Sequence, residues 1–222
     1  VQELRQELLE VEDIYIGVHL ERSVGSMVAF WSIILSGKTY FPMDKKQIPT
    51  RLRSMLEEAG TRTVITDEPK LSLFRDLSVC TLSAGGREGK RDMAQTPVVD
   101  RNTPLYLLYT SGSSGQPKGV LGTQKGLLNR LKWMWMQFPF GQQEVCCHKT
   151  ATGFVDSIAE MASGFLRGVP TVIISHEDGE NLHRLMKIIE SQKITRITLI
   201  PSVLHALLKY GEQVKKSLSG LK

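Results

Sequence analysis

Little in this sequence is built for a bilayer, a polyanion or a disulfide framework. The longest apolar run, Met27–Leu35, includes Ser32 and is too short to span a membrane. The opening residues carry no signal-peptide pattern. Net charge is only +5, and the basic residues are scattered apart from short clusters at Arg87–Arg91 and Lys215–Lys216. A nucleic-acid surface would concentrate them on one face, so that partner is excluded. There are three cysteines, Cys80, Cys146 and Cys147, an odd number with two adjacent. That argues against paired disulfides and for a reducing, cytoplasmic compartment. No internal repeat is present.

What is present is core-forming material. With 222 residues, 41% of them hydrophobic, the chain can build one large domain or two small ones. The opening "VQELRQELLEVEDIYIGVHL" reads as the tail of a helix feeding a strand, and "SLSGLK" offers no stop signal, so a piece of a longer protein is expected. Between them, strand patterns at 14–20, 38–42, 63–66, 105–110, 145–149, 169–175 and 196–200 alternate with helical patterns at 23–35, 50–59, 126–136, 157–166, 182–192 and 202–210. Alternation of this kind predicts α/β architecture with layered parallel sheets, here incomplete. Composition divides the chain into a first α/β part (1–81), a linker holding "SAGGREGKRDMAQTP" (82–104), and a second part (105–222).

One stretch carries chemistry. "LYLLYTSGSSGQPKGV" runs from an apolar strand into small hydroxylated residues and ends on a lysine. Open α/β sheets bind ligands at the carboxyl ends of strands. There Gly112 and Gly115 let backbone N–H groups turn inward and a phosphate come close. Thr110, Ser111, Ser113 and Ser114 add hydroxyl donors, Pro117 stiffens the exit, and Lys118 supplies a positive charge. Together they describe a polyphosphate cradle; a flexible linker would not sit between a buried strand and "PKGV". A Walker loop needs Gly-Lys-Ser/Thr, whereas Gly119 and Val120 follow Lys118, and the spacing of a dinucleotide fingerprint is absent.

Tyr109 through Val120 closely resembles the signature Tyr-Thr-Ser-Gly-(Ser/Thr)-Thr-Gly-x-Pro-Lys-Gly-Val of the adenylate-forming enzymes, with Ser114 where Thr is usual. That superfamily includes acyl-CoA synthetases, luciferases and the adenylation domains of nonribosomal peptide synthetases. Ile16–Asp44 and Pro49–Gly60 resemble further family blocks, and "NRLKWM", "HKTATGFVDSIAEM" and "RITLIPSVLHALL" resemble the peptide-synthetase branch. The resemblance implies ATP-dependent activation of a carboxylate as an acyl-adenylate. The acyl group then passes to a thiol, either coenzyme A or a carrier-protein phosphopantetheine. It implies that Thr110–Gly115 and Lys118 hold the ATP phosphates, with Mg2+ sharing the charge. No metal ligand is identifiable in the sequence, and the family's catalytic lysine and lid domain are expected beyond Lys222. The segment alone is therefore expected to be inactive, with apolar surface exposed. An acyl-CoA ligase and a non-catalytic remnant of the fold stand as alternatives.

The acyl pocket departs from the family pattern. Where the amino-acid branch reads Phe-Asp-x-Ser, this chain reads Phe154-Val155-Asp156-Ser157. The resemblance implies Phe154, Asp156 and Ala159 as substrate-binding residues. A carboxylate displaced by one residue suits a displaced amine, such as that of a β-amino acid, or none; alternatively Asp156 or Ser157 caps the following helix. The family's Trp is Ala159, which widens the pocket, and Gln124 replaces a common His. Glu160 reads as structural. Trp133 and Trp135, two apart on a helix, face different ways, one expected in the core and the other beside a pocket. Cys146 and Cys147 read as structural, His148, His183 and His205 as packed or surface residues, and "SHEDGE" as a solvated turn.

Overall fold

In the computed structural model, residues 1–80, 100–111, 117–209 and 220–221 are described. They fall into two units, Val1–Leu128 and Asn129–Lys222.

The first unit opens with α1 (Gln2–Leu9), then alternates β1 (Tyr15–His19), α2 (Val24–Leu35), β2 (Thr39–Pro42), α3 (Pro49–Ala59) and β3 (Thr63–Thr66). A 3-10 turn, Ser72–Phe74, precedes β4 (Ser78–Cys80). After the linker come β5 (Pro104–Ser111) and β6 (Pro117–Thr123). The six strands order as β4-β3-β1-β2-β5-β6. The first five run parallel, with Ile16 opposite Tyr40 and Val18 opposite Ile65, all buried. Strands β1, β2 and β3 are buried along nearly their whole length, as strands covered on both faces are.

Local chemistry sets the boundaries. Ser23 and Ser26 exchange bonds at the start of α2: the Ser26 N–H donates to Ser23 Oγ (3.2 Å) and the Ser23 N–H to Ser26 Oγ (3.0 Å). Helix α3 begins with Pro49 and ends at Gly60, whose φ of 65° closes the helix in the left-handed region.

Strand β6 is the departure from the sequence expectation. It pairs antiparallel with β5, so residues 104–123 form a hairpin on a parallel sheet. A Gly-containing connection of five residues between apolar runs is a hairpin signal. Position 122 must be glycine-sized, because a Cβ there would lie 1.8 Å from the ring of its cross-strand partner Tyr106. Strand β5 pairs with β2 and so belongs to the first unit. Most of the 82–104 segment lies outside the described residues.

Helix α4 (Gln124–Gln137) follows directly. The second unit continues with β7 (Cys146–His148), α5 (Val155–Ser163), a 3-10 turn Phe165–Arg167, β8 (Thr171–Ile173), α6 (His176–Glu180), α7 (Leu182–Ser191) and α8 (Pro201–Leu208). Strands β7 and β8 are parallel. Cys147, Ile174, Leu185, Ile189 and Ile194 form a core against α7. Two expectations change here. The run at 196–200 makes a single bridge, Arg196 to Cys146, rather than a strand; the Arg196 side chain leaves the ladder to bind the 138–144 loop. "SHEDGE" is a short helix, capped by Ser175 Oγ, which accepts from the Asp178 N–H at 3.1 Å.

Candidate active site

The expected phosphate cradle sits on the β5–β6 hairpin. Thr110 pairs with Lys118 and Ser111 with Pro117, one step from the connecting loop. Thr110 Oγ1 donates to the Lys118 carbonyl at 3.4 Å, and both residues are exposed. Gly112, Ser113, Ser114 and Gly115 lie outside the described residues, as does the side chain of Ser111.

The base of the hairpin is fixed. Tyr109 stacks at 5.4 Å from Phe41, and its hydroxyl donates to the Met55 carbonyl at 3.2 Å. Burial pushes its phenol up to about 12, with Glu58 adding to the shift. Opposite it, a Cβ at Gly119 would meet Leu107 at 3.0 Å and the Tyr109 ring at 3.4 Å. Tyr109 and Gly119, toward the two ends of the motif, are therefore packing residues.

The acyl-site residues lie in the second unit, on and before α5. Phe154 stands at the N-cap and is 64% exposed. Asp156 neither caps the helix nor stands alone: its carboxylate accepts from the Arg130 guanidinium of α4, with the side chains 34% and 38% exposed for Arg130 and Asp156. Ser157 does not cap either, since its Oγ donates back to the Phe154 carbonyl at 2.8 Å. The cap readings of both residues are thus replaced by an ion pair and a back-bond. Phe154 and Val155 leave α5 without a side-chain cap.

Ala159 is buried and lines a cavity of about 220 Å³. Met134, Trp135, Phe138, Phe140, Ile197 and the two adjacent cysteines supply most of the remaining wall. Trp135 donates its indole N–H to Ser163 Oγ at 3.2 Å, so it is the tryptophan beside the pocket. Trp133, in contrast, is exposed and stacks edge-on with Phe138 rather than entering the core.

The charged groups of this wall are already engaged. Glu160 accepts from the Lys149 and Thr150 amides (3.0 and 2.9 Å) and from Thr150 Oγ1 (2.7 Å). Burial raises its carboxyl above the ordinary range, and those bonds oppose the shift. Arg196 donates to both Glu144 oxygens and to the Phe138 and Pro139 carbonyls, and lies over the Phe140 ring. Sequence reasoning missed this clamp, because Arg196 and Glu144 are 52 residues apart. Burial pushes the Cys146 thiol up to about 11 and raises Cys147 further, which fits packing rather than nucleophilic roles. His148 is buried, whereas His183 and His205 are exposed.

A sequence profile for the family described as AMP-binding enzyme matches residues 4–222. This chain belongs to the AMP-binding enzyme family. It is 34% identical over 92% of its length to vanchrobactin synthetase VabF of Vibrio anguillarum, of which it covers 7%. It is 32% identical over 89% of its length to the beta-alanyl-bioamine nonribosomal peptide synthetase ebony of Drosophila melanogaster, covering 23% of that protein. The chain thus spans under a quarter of the length of these relatives. Its fold matches the nonribosomal peptide synthetase FmoA3 with a TM-score of 0.81 at 20% identity, over 99% of this chain and 23% of that one. It likewise matches the N-terminal subdomain of Klebsiella oxytoca NpsA (TM-score 0.78, 20% identity, 96% and 53% covered). The layered α/β expectation with a predominantly parallel sheet therefore holds, and the adenylate-forming resemblance is a family relationship.

Proposed function

We propose that the protein carrying this chain activates a carboxylic acid with ATP, forming an acyl-adenylate and pyrophosphate, and passes the acyl group to a phosphopantetheine thiol of a carrier domain. The observation that supports it most is the last rungs of the β5–β6 ladder. There Thr110 and Lys118 stand side by side, exposed, at the carboxyl end of a sheet strand. In this reading the hydroxyls of Thr110, Ser111, Ser113 and Ser114 and the amides around Gly112 and Gly115 bind the β- and γ-phosphates. Lys118 neutralises charge on the departing pyrophosphate. Nucleotidyl transfer gains mainly from such positioning, which brings the carboxylate in line with the α-phosphate.

ATP arrives with Mg2+ on its phosphates, and such an ion keeps much of its shell as water and phosphate oxygen. No group of three or more His, Cys, Asp or Glu residues that could cage a metal occurs among the described residues, so no step is assigned to the ion. The peptide-synthetase names of the relatives favour a carrier thiol over coenzyme A as acceptor. The three cysteines are free, which suits a cytoplasmic enzyme, and no helix among the described residues is long and apolar enough to cross a membrane.

ATP–pyrophosphate exchange by the full-length protein against a panel of acids tests the reading. Lys118→Ala should lower exchange by roughly 100-fold, the scale for losing one charge-stabilising donor. Exchange that is unaffected by this change would remove the cradle from the mechanism.

A further inference from the structure

The second unit has another pocket, of about 830 Å³, away from the residues expected to hold substrate. Its walls come from the segments that lead into the sheet: 140–145 before β7, 166–170 before β8, and 192–193 before the bridge at Arg196. It therefore opens at the amino ends of the parallel segments, whereas open α/β sheets bind their substrates at the carboxyl ends. Among the described residues, Phe140 alone is shared with the cavity beside Ala159. Three residues with left-handed backbone line it: Gln143, Gly168 and Lys193, with φ of 57°, 68° and 52°. The lysine is the informative one. At the end of α7 the Ile194 N–H donates to the Ile189 carbonyl (3.0 Å) and the Lys193 N–H to the Glu190 carbonyl (3.2 Å). The same turn closes α3 at Gly60 and the 165–167 turn at Gly168. Glycine adopts that conformation without steric cost and lysine does not. Position 193 thus keeps a side chain where the backbone favours none, as strained residues at binding sites do.

The charges of the groove are one-sided. Arg167 and Lys193 are exposed on its rim, and neither has a carboxylate partner among the described residues. The Arg167 guanidinium lies 5.0 Å above the Trp135 ring, which fixes its plane. The one carboxylate in the described lining, Glu144, is only 1% exposed and is held by Arg196 and the Gly141 N–H. Two positive charges are therefore offered and no free negative one. Val145, Val169 and Pro170 give the groove apolar surface. Gln143 and Gln192 add exposed carboxamides, which donate and accept as a peptide bond does. A mineral anion would engage one point of so wide a groove. Two cations on separate elements, amides and an apolar floor match a chain.

We infer that this groove docks an extended, acidic peptide segment of a partner protein domain, with its carboxylates on Arg167 and Lys193 and an aliphatic side chain against Val145, Val169 and Pro170. The inference stands independently of the adenylation reading. A cation at a helix C-terminus also complements the helix dipole, and the test separates that role from docking.

The test is fluorescence anisotropy of the full-length protein with a fluorescein-labelled Gly-Glu-Glu-Leu-Glu-Glu-Gly peptide at low salt, and with a control peptide carrying Gln for every Glu. The acidic peptide should bind about tenfold more tightly than the control, the scale of two exposed ion pairs, and should weaken as salt is added. Arg167→Gln and Lys193→Gln should each weaken it about threefold. Gln192→Glu, an exposed change outside the left-handed positions, should weaken it as well. Lys193→Gly should weaken binding while raising the urea midpoint, because it removes the charge and the backbone penalty together. Absence of binding, equal binding of the two peptides, or indifference to these changes overturns the inference. A lower midpoint for Lys193→Gly with binding intact overturns it too and assigns Lys193 to the helix dipole. If inorganic phosphate or citrate displaces the probe as well as unlabelled peptide does, the groove is a small-anion site and the docking role falls.

Discussion

Replacing Arg196 with alanine is the most informative structural perturbation. Its partner Glu144 keeps only 1% of its side chain exposed, and Arg196 keeps 19%. Removing one member of a buried pair leaves an uncompensated charge, at a cost of about 3–5 kcal/mol. The Gly141 N–H still donates to Glu144 at 2.8 Å, which places the loss near the lower figure. Against that, the Phe138 and Pro139 carbonyls lose their donor as well. We therefore expect a loss of about 3 kcal/mol in the unit that contains them. With Glu144→Gln added, the charge disappears and most of that loss should return, a coupling of about 2 kcal/mol in the double-mutant cycle. Urea titrations followed by tryptophan fluorescence measure all four proteins. A single-variant loss below about 1 kcal/mol, the scale of an exposed pair, would refute the clamp. Additive effects of the two changes would refute the coupling.

His19 provides a pH test. It is buried, with its Nδ1 3.2 Å from Thr66 Oγ1 and its ring edge-on to Phe74. Burial lowers its pKa from 6.5, nearby Lys45 adds to this, and Glu68, Asp67 and Glu21 oppose it. A lowered folded pKa means the unfolded chain takes up the proton first, so stability is full above 6.5 and is lost as the pH falls through the folded value. His19→Gln should flatten that slope in denaturant midpoints; an unchanged slope would exclude His19 as its source. Gly60→Ala at φ 65° should cost about 1–2 kcal/mol, read from the same titrations, whereas a neutral result would mean the cap can rebuild.

The sequence made some layers legible and hid others for physical reasons. Strand β3 occurs at the expected residues because a β-branched run between a left-handed glycine and a turn leaves few alternatives. Helix α2 was marked by Ser23 and the periodic apolar run behind it. Strand β6 was hidden because its two glycines look like loop; only the rings of Tyr106 and Tyr109 across the ladder explain them. At the candidate site, the motif Tyr109–Val120 was plain, but the anchoring of Tyr109 and Gly119 in the sheet appears only in the packing. The partner of Asp156 was out of sight, since Arg130 lies 26 residues back on another helix. Ala159 was read as a widening because it stands where the family has a Trp, and it is found buried in a cavity wall.

An acyl-adenylate is a potent electrophile, and any sulfur anion nearby would intercept it before the proper acceptor arrives. Burial pushes the Cys146 thiol up to about 11 and Cys147 further, which keeps both protonated at neutral pH. Two thiols can therefore line the cavity as soft, polarisable bulk without acting as nucleophiles. Under the adenylation proposed above, the burial that keeps these thiols protonated would also spare them acylation.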